Sequence, residues 1–250
     1  MNIKLLSLVI PAYKQEKTIV KDIKNIDKIL SSLPFLHELI VVVDGFLDKT
    51  YERIKNQESR IKNLKVLGYK ENRGKGFAIK YGVREAKGDI VGFIDAGMDL
   101  DPAEISIMLN IMDFNNADVV IGSKLHPDSK VNYPYQRKIL SWGYRTLTHV
   151  LFGFKVKDTQ VGLKIFRKKI AKEVFSRIVV KEFAFDIEVL AVAYKLGYHS
   201  IHEAPIKLNF KGAGSITSSN FWKIILLMLW DTVGVYYRLK IIKRYDVVSR

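Results

Sequence analysis

The sequence predicts an α/β fold: a Rossmann-like, doubly wound parallel sheet followed by a C-terminal amphipathic helical appendage. Three observations predict it. Short apolar runs alternate with segments of helical periodicity through the first half of the chain. Those runs are near-continuous, as in strands buried on both faces, instead of alternating apolar with polar. The final stretch drops that rhythm for one apolar segment with aromatic and basic flanks. With 250 residues, 48% of them apolar, the chain is long enough to bury one large core.

Residues 5–10 form the first buried strand, which stops at Pro11, a residue with no N–H to donate. Spacing through Ile19, Ile23, Ile26 and Leu30 predicts a helix over 16–33. Residues 39–43 are the second strand, ending at Asp44-Gly45, and 48–57 a short helix. A third strand covers 64–68, a helix 75–86, and Gly88-Asp89 turns into a fourth strand at 90–94. Residues 102–112 are helical and 117–121 form a fifth strand. After Ser123 the order changes. Residues 123–133 read as loop, 134–151 as a long helix and 161–166 as a short strand. Helices over 168–176 and 186–195 precede a last strand at 200–206. Residues 207–220 are polar and carry Gly212 and Gly214. Without a repeat or a low-complexity linker, the chain divides into a main domain over 1–218 and a tail over 219–250.

The absence of cysteine excludes disulfides and thiolate metal sites. The N-terminus enters the first strand directly, so no signal peptide is expected. The net charge of +15 is unevenly placed. Residues 1–120 hold 18 Lys and Arg against 17 Asp and Glu, and residues 121–250 hold 23 against 9. Such a field suits a diphosphate, a polyanion or an anionic membrane surface. Nucleic acid is not an expected partner: no binding motif accompanies the charge, and acidic strand ends would repel phosphate. In the tail, Lys223 and Asp231 interrupt the apolar stretch, which falls short of the roughly 20 residues needed to span a bilayer. Trp222, Trp230, Tyr236 and Tyr237 beside Arg238, Lys240, Lys243 and Arg244 suit a helix lying in a membrane interface. Packing on the domain or on a second copy is the alternative.

Ligands of open α/β sheets bind outside the carboxyl ends of the strands. Three predicted strands end there in carboxylates or polar turns, at 11–16, Asp44-Gly45 and 95–101. Asp101 before Pro102 reads as a helix cap. Asp95, Asp99 and Asp101, after a buried strand, form a carboxylate cluster suited to Mg²⁺ or Mn²⁺, which takes one or two carboxylates plus substrate phosphates. The segment Asn72-Arg73-Gly74-Lys75-Gly76 opens a helix whose N-terminus suits an anion, although it lacks Walker spacing.

Taken in order, these motifs resemble glycosyltransferase family 2. Val9-Ile10-Pro11-Ala12-Tyr13-Lys14-Gln15-Glu16 is similar to its first nucleotide-binding motif, and Val41-Val42-Val43-Asp44-Gly45 through Asp48-Lys49-Thr50 to its second. Asn72-Arg73-Gly74-Lys75-Gly76 followed by Gly88-Asp89-Ile90-Val91-Gly92-Phe93-Ile94-Asp95-Ala96 is a closer match. Gly122-Ser123-Lys124, Arg137-Lys138-Ile139-Leu140-Ser141, Asp158-Thr159-Gln160-Val161-Gly162-Leu163-Lys164 and Phe183-Ala184-Phe185-Asp186-Ile187-Glu188 resemble the polyprenyl-phosphate (dolichol-phosphate mannose synthase-like) branch.

The resemblance implies a GT-A-type sheet, with 1–218 as catalytic domain, and roles for residues. Pro11, Tyr13, Gln15, Asp44 and Lys75 would hold a nucleotide sugar, with Val42 against the base. Asp95, Ala96, Gly97 and Asp99 would meet ribose and diphosphate. Asp95 and Asp99 would bind Mg²⁺ or Mn²⁺. Lys124 would face phosphate, Lys211 would close over the donor, and Arg137 and Ser141 would hold the acceptor phosphate. Asp95, Asp99 and Arg137 would be catalytic. Asp158, Asp186 and Glu188 would bind sugar hydroxyls or steer the basic residues, or serve as caps and ion pairs. Several positions depart from the family pattern: Gln15 replaces Glu, Val43 replaces the first Asp of a pair, Phe46-Leu47 replace the usual Ser and its neighbour, Lys124 stands where the branch usually has Arg, and Gly97 stands where the second Asp of Asp-x-Asp belongs.

The activity implied is inverting, metal-dependent transfer of a hexose from a GDP- or UDP-hexose to a polyprenyl (dolichyl-type) phosphate. It would take place on the cytoplasmic, inner face of the membrane, with room for a separate membrane-protein anchor. Two alternatives stay open: a transferase of the same fold with a saccharide or other soluble acceptor, and a non-catalytic lipid- or partner-binding subunit, favoured by Gly97 and Val43.

Overall fold

The computed structural model describes residues 3–132, 135–182, 184–209 and 221–246. The chain runs β1 (Leu5–Ala12), α1 (Ile19–Leu30), β2 (Leu36–Asp44), α2 (Thr50–Lys55), β3 (Leu64–Tyr69), α3 (Lys75–Glu85), β4 (Ile90–Ile94), α4 (Glu104–Phe114) and β5 (Val119–Ser123). It continues through β6 (Lys130–Asn132), α5 (Tyr135–Phe152), β7 (Leu163–Arg167), α6 (Lys168–Arg177), α7 (Phe185–Lys195), β8 (Ile201–Pro205), β9 (Lys207–Asn209) and α8 (Phe221–Tyr236), which runs into a π-helical turn, Tyr237–Ile241.

Seven strands form the central sheet in the order β3-β2-β1-β4-β7-β5-β8. Side chains alternate across each strand and so separate two cores. Val9, Ile40, Val42, Val91 and Phe93 pack beneath the layer that contains α3, α6 and α7. Leu8, Ile10, Val41, Val43, Ile90 and Ile94 pack against α1 and α4 on the other face. Pro11, Asp44 and Asp95 continue the first set by the same two-residue step. They therefore emerge on one side at the carboxyl ends of β1, β2 and β4.

Two expectations change. The sheet is not wholly parallel, because β7 runs antiparallel to both β4 and β5. The chain leaves β5 at the carboxyl edge and re-enters the sheet from that edge, so β7 must run back; mixed sheets of this kind are common. Its first residues therefore lie beside Asp95. The segment 123–133 is not all loop, since β6 pairs in parallel with β9.

The tail packs on the main domain. Tyr144 and Thr232 hydroxyls meet at 2.6 Å, and the Phe152 and Tyr236 rings lie 6.2 Å apart. Val235, Leu239 and Tyr245 join the core. The outer side exposes Leu226, Leu227, Trp230, Val233, Tyr237 and Ile241, and Trp142 and Val150 of α5 are exposed as well. Among the described residues no helix is long and apolar enough to cross a membrane.

Candidate active site

A cavity of about 610 Å³ opens at the carboxyl edge of β1, β2 and β4. Pro11, Ala12, Tyr13, Gln15, Asp44, Asn72, Gly74, Lys75, Asp95, Ala96 and Glu182 line it.

One wall is built around Asp44, which is nearly fully buried. Its carboxylate accepts from Asn72 Nδ2 (2.8 Å), Arg73 N (2.7 Å) and Gly74 N (2.9 Å). These bonds hold the turn that starts α3. Gly74 has φ +87°, and a Cβ there would collide with the Lys181 carbonyl oxygen. Only glycine meets both demands. The N-terminus of α3 is thereby aimed at the cavity, where its dipole favours an anion.

The floor is charged. Lys75 Nζ lies 2.7 Å from Asp95 Oδ1 and 3.7 Å from Asp186 Oδ2. Asp186 Oδ1 accepts from Lys164 Nζ at 2.5 Å, and Lys164, fully buried, also donates to Val161 O at 2.6 Å. Both ammonium groups lie within 6 Å of the Phe93 ring centre. Burial disfavours the charged form of Lys75, but the charges of Asp186 and Asp95 outweigh it and raise its pKa. Lys75 is thus a fixed cation. Burial lowers the pKa of Lys164, against the opposing pull of Asp186. Asp95 itself sits where it does because residue 162 is glycine: a Cβ there would overlap the Asp95 carboxylate. The Asp95 N–H donates to Gly162 O at 2.9 Å.

The structure thus gathers Pro11, Tyr13, Gln15, Asp44, Lys75, Asp95 and Ala96 around one cavity. Val42 is not part of its wall; two residues back along β2, it is fully buried in the core against α3. Gly97, Asp99 and Lys124 are not lining residues either. The Asp99 carbonyl accepts from Asn209 N at 2.9 Å. Lys124 pairs with Asp158, its Nζ 3.6 Å away and its N–H donating at 2.9 Å. Ser141 is half-buried on α5, while the Arg137 side chain and all of Lys211 lie outside the described residues. Glu188 is fully buried and does not line this cavity. Sequence reasoning passed over Glu182, which carries no motif signal, and the steric role of Gly162, although that residue stood inside a recognised motif.

For a divalent cation the cavity lining provides two carboxylates outside the α3 turn, Asp95 and Glu182, of which Asp95 lies at the end of β4 beside Lys75. No set of three His, Asp or Glu residues converges among those described. At Gly97 an added Cβ would have only Gln15 Nε2 near it, at 4.0 Å. One carboxylate completed by substrate phosphates is a known way of holding Mg²⁺. The residues present fit a cation in that form.

The sequence profile of glycosyl transferase family 2 matches residues 7–175. A dolichyl-phosphate β-glucosyltransferase of Trichomonas vaginalis is 33% identical over 244 residues, 92% of this chain and 75% of that protein. A UDP-N-acetylglucosamine–dolichyl-phosphate N-acetylglucosaminyltransferase of Methanococcus voltae is 28% identical over 249 residues, 90% of this chain and 97% of that protein. Among solved structures, glucosyl-3-phosphoglycerate synthase of Mycobacterium tuberculosis, in complex with Mn²⁺, uridine diphosphate and phosphoglyceric acid, superposes with a TM-score of 0.69. It covers 98% of this chain and 79% of its own at 19% identity, a likeness of fold.

Proposed function

Since the chain belongs to glycosyl transferase family 2, we propose that this glycosyltransferase moves a hexose from a uridine diphosphate sugar to a dolichyl-type polyprenyl phosphate, with inversion at the anomeric carbon. The observation that carries the reading is the Lys75 ammonium, held by Asp95 and Asp186 at the floor of a cavity on the carboxyl edge of the sheet. The names of the relatives supply the acceptor class, and that of the Methanococcus voltae enzyme supplies the uridine donor.

An acceptor phosphate oxygen attacks the anomeric carbon, and the bond to the donor diphosphate breaks. The phosphate is already anionic near neutral pH, so it needs no strong general base. The protein's work is to align the two phosphates and to neutralise charge on the departing nucleoside diphosphate. Lys75 and the N-terminus of α3 do the second. Pro11, Tyr13 and Gln15 seat the nucleoside. Mg²⁺ or Mn²⁺, held by Asp95 and the donor phosphates, would add Lewis-acid stabilisation of the leaving group. In this reading Arg137 and Ser141 on α5 hold the acceptor phosphate, Lys124 serves phosphate and Lys211 serves the donor. Residues 1–218 are the catalytic part. The tail over 219–250 lies on the cytoplasmic face of the membrane through its exposed apolar side, alone or beside a membrane-anchored partner.

A melting panel tests the donor. UDP at about 100 times its Kd stabilises by roughly 2.7 kcal/mol, about 5–10 °C for a chain of this size, and GDP does less, with and without Mn²⁺. Label from UDP-glucose or UDP-N-acetylglucosamine then appears in the organic phase when dolichyl phosphate is supplied. A shift with GDP alone, or a water-soluble product alone, refutes the reading.

A further inference from the structure

We infer that Arg238 and Tyr245, at the end of the tail, act through Glu188 as positioning residues for the donor cavity; this rests on the reading of that cavity as the nucleotide-sugar site.

Glu188 lies in α7 and has no exposed surface. Its two carboxylate oxygens serve different parts of the molecule. Oε2 accepts from Val179 N (2.8 Å) and Val180 N (2.7 Å). Oε1 accepts from the Tyr245 hydroxyl and lies 3.6 Å from Arg238 Nε. Arg238 Nε also donates to the Tyr245 oxygen at 2.9 Å. One buried carboxylate therefore ties the loop before α7 to the part of the tail that follows the π-helical turn.

The loop held by Glu188 forms the rear of the cavity wall. Lys181 O accepts from Gly76 N at 2.7 Å. Side chains at Gly74 and Gly76 would collide with the carbonyls of Lys181 and Val180. Glu182, the next residue, lines the cavity. If the tail releases Oε1, Glu188 becomes a buried carboxylate with half its partners gone, a costly state. Relief requires water or a new rotamer, and either loosens the N–H groups of Val179 and Val180. The carbonyls that seat the first turn of α3 then lose their fixed position, and Lys75 starts that turn. The tail that exposes an apolar outer side thus braces the donor wall from its inner side.

The test uses the full chain with UDP and Mg²⁺ as the probe. Tyr245→Phe and Arg238→Gln are compared with Asp246→Asn, which cuts the neighbouring Lys195–Asp246 pair (2.7 Å) and spares Glu188. The first two weaken UDP binding about five- to tenfold and raise the donor KM by the same factor, while kcat at saturating donor holds. Asp246→Asn leaves both unchanged. Without ligand, the amides of Val179 and Val180 exchange faster with solvent in Tyr245→Phe than in the wild type. Wild-type UDP affinity in both variants, equal losses in Asp246→Asn, or unchanged exchange at Val179 and Val180 overturns the inference. A wild-type chain that ignores UDP refutes the donor reading instead, and amide exchange then decides the hook by itself.

Discussion

At Gly162 the missing side chain is what lets Asp95 occupy the cavity floor. The two residues are far apart in sequence and meet only because β7 enters the sheet beside β4. Gly162→Ala leaves the backbone acceptable, since its constraint is space, and pushes the carboxylate away from Lys75. Misplacement of a catalytic group by about 1 Å can cost roughly 100-fold in rate. The variant is expected to melt within a few degrees of the wild type and to lose about that factor in kcat/KM. Wild-type turnover would detach Asp95 from the reaction. Lys75 shows what charge geometry adds to a motif. The sequence offered a lysine after a glycine; the fold surrounds it with two carboxylates and so keeps it protonated.

At the level of elements, the cavity rim is held by a clasp between the loops after β1 and β2. Gln15 N donates to Thr50 Oγ1 (2.8 Å), Glu16 N to Asp48 Oδ2 (3.3 Å), and Lys49 N to Glu16 Oε2 (3.2 Å). Burial raises the Asp48 pKa, but hydrogen bonds from Thr50 and Glu16 prevail and hold it below its ordinary 3.8. A carboxylate with a depressed pKa contributes stability that is present above its unfolded value and lost as pH falls through the folded one. Asp48→Asn is therefore expected to lower Tm at pH 7 by about 2–4 °C, the effect of roughly 1 kcal/mol in a chain of this size. The gap to the wild type closes as pH drops below 3.8. A gap that is constant from pH 7 to pH 3 refutes the assignment. Asp48 and Thr50 were visible as a motif, but their reach to Gln15 and Glu16 needs β1 and β2 side by side in register.

Across the whole molecule, an excess of positive charge after residue 120 coincides with an apolar surface on α5, α8 and the π-helical turn. Aromatic and apolar anchors beside basic residues suit an anionic lipid surface. Replacing Trp230 and Ile241 by serine is expected to weaken sedimentation with phosphatidylserine vesicles at least tenfold, because roughly 25 cal/mol is lost per Å² of apolar surface kept in water. UDP affinity should be untouched. Equal binding by the variant would place the docking face elsewhere. The alternation of buried runs with helical periods, the carboxylates at strand ends and the glycine-rich start of α3 were legible in sequence because each depends on neighbours a few residues away. So was the family, since its motifs are local. The direction of β7, the pairing of β6 with β9, and the placing of Val42 and Asp99 outside the cavity wall were not. Sequence by itself determined which chemical groups this protein carries and which short segments present them. Tertiary structure alone decided which of them meet: Asp95 with Lys75 and Gly162, and Glu188 with the tail. Such contacts join residues tens of positions apart, and their geometry follows from sheet order and layer packing, which no local pattern encodes.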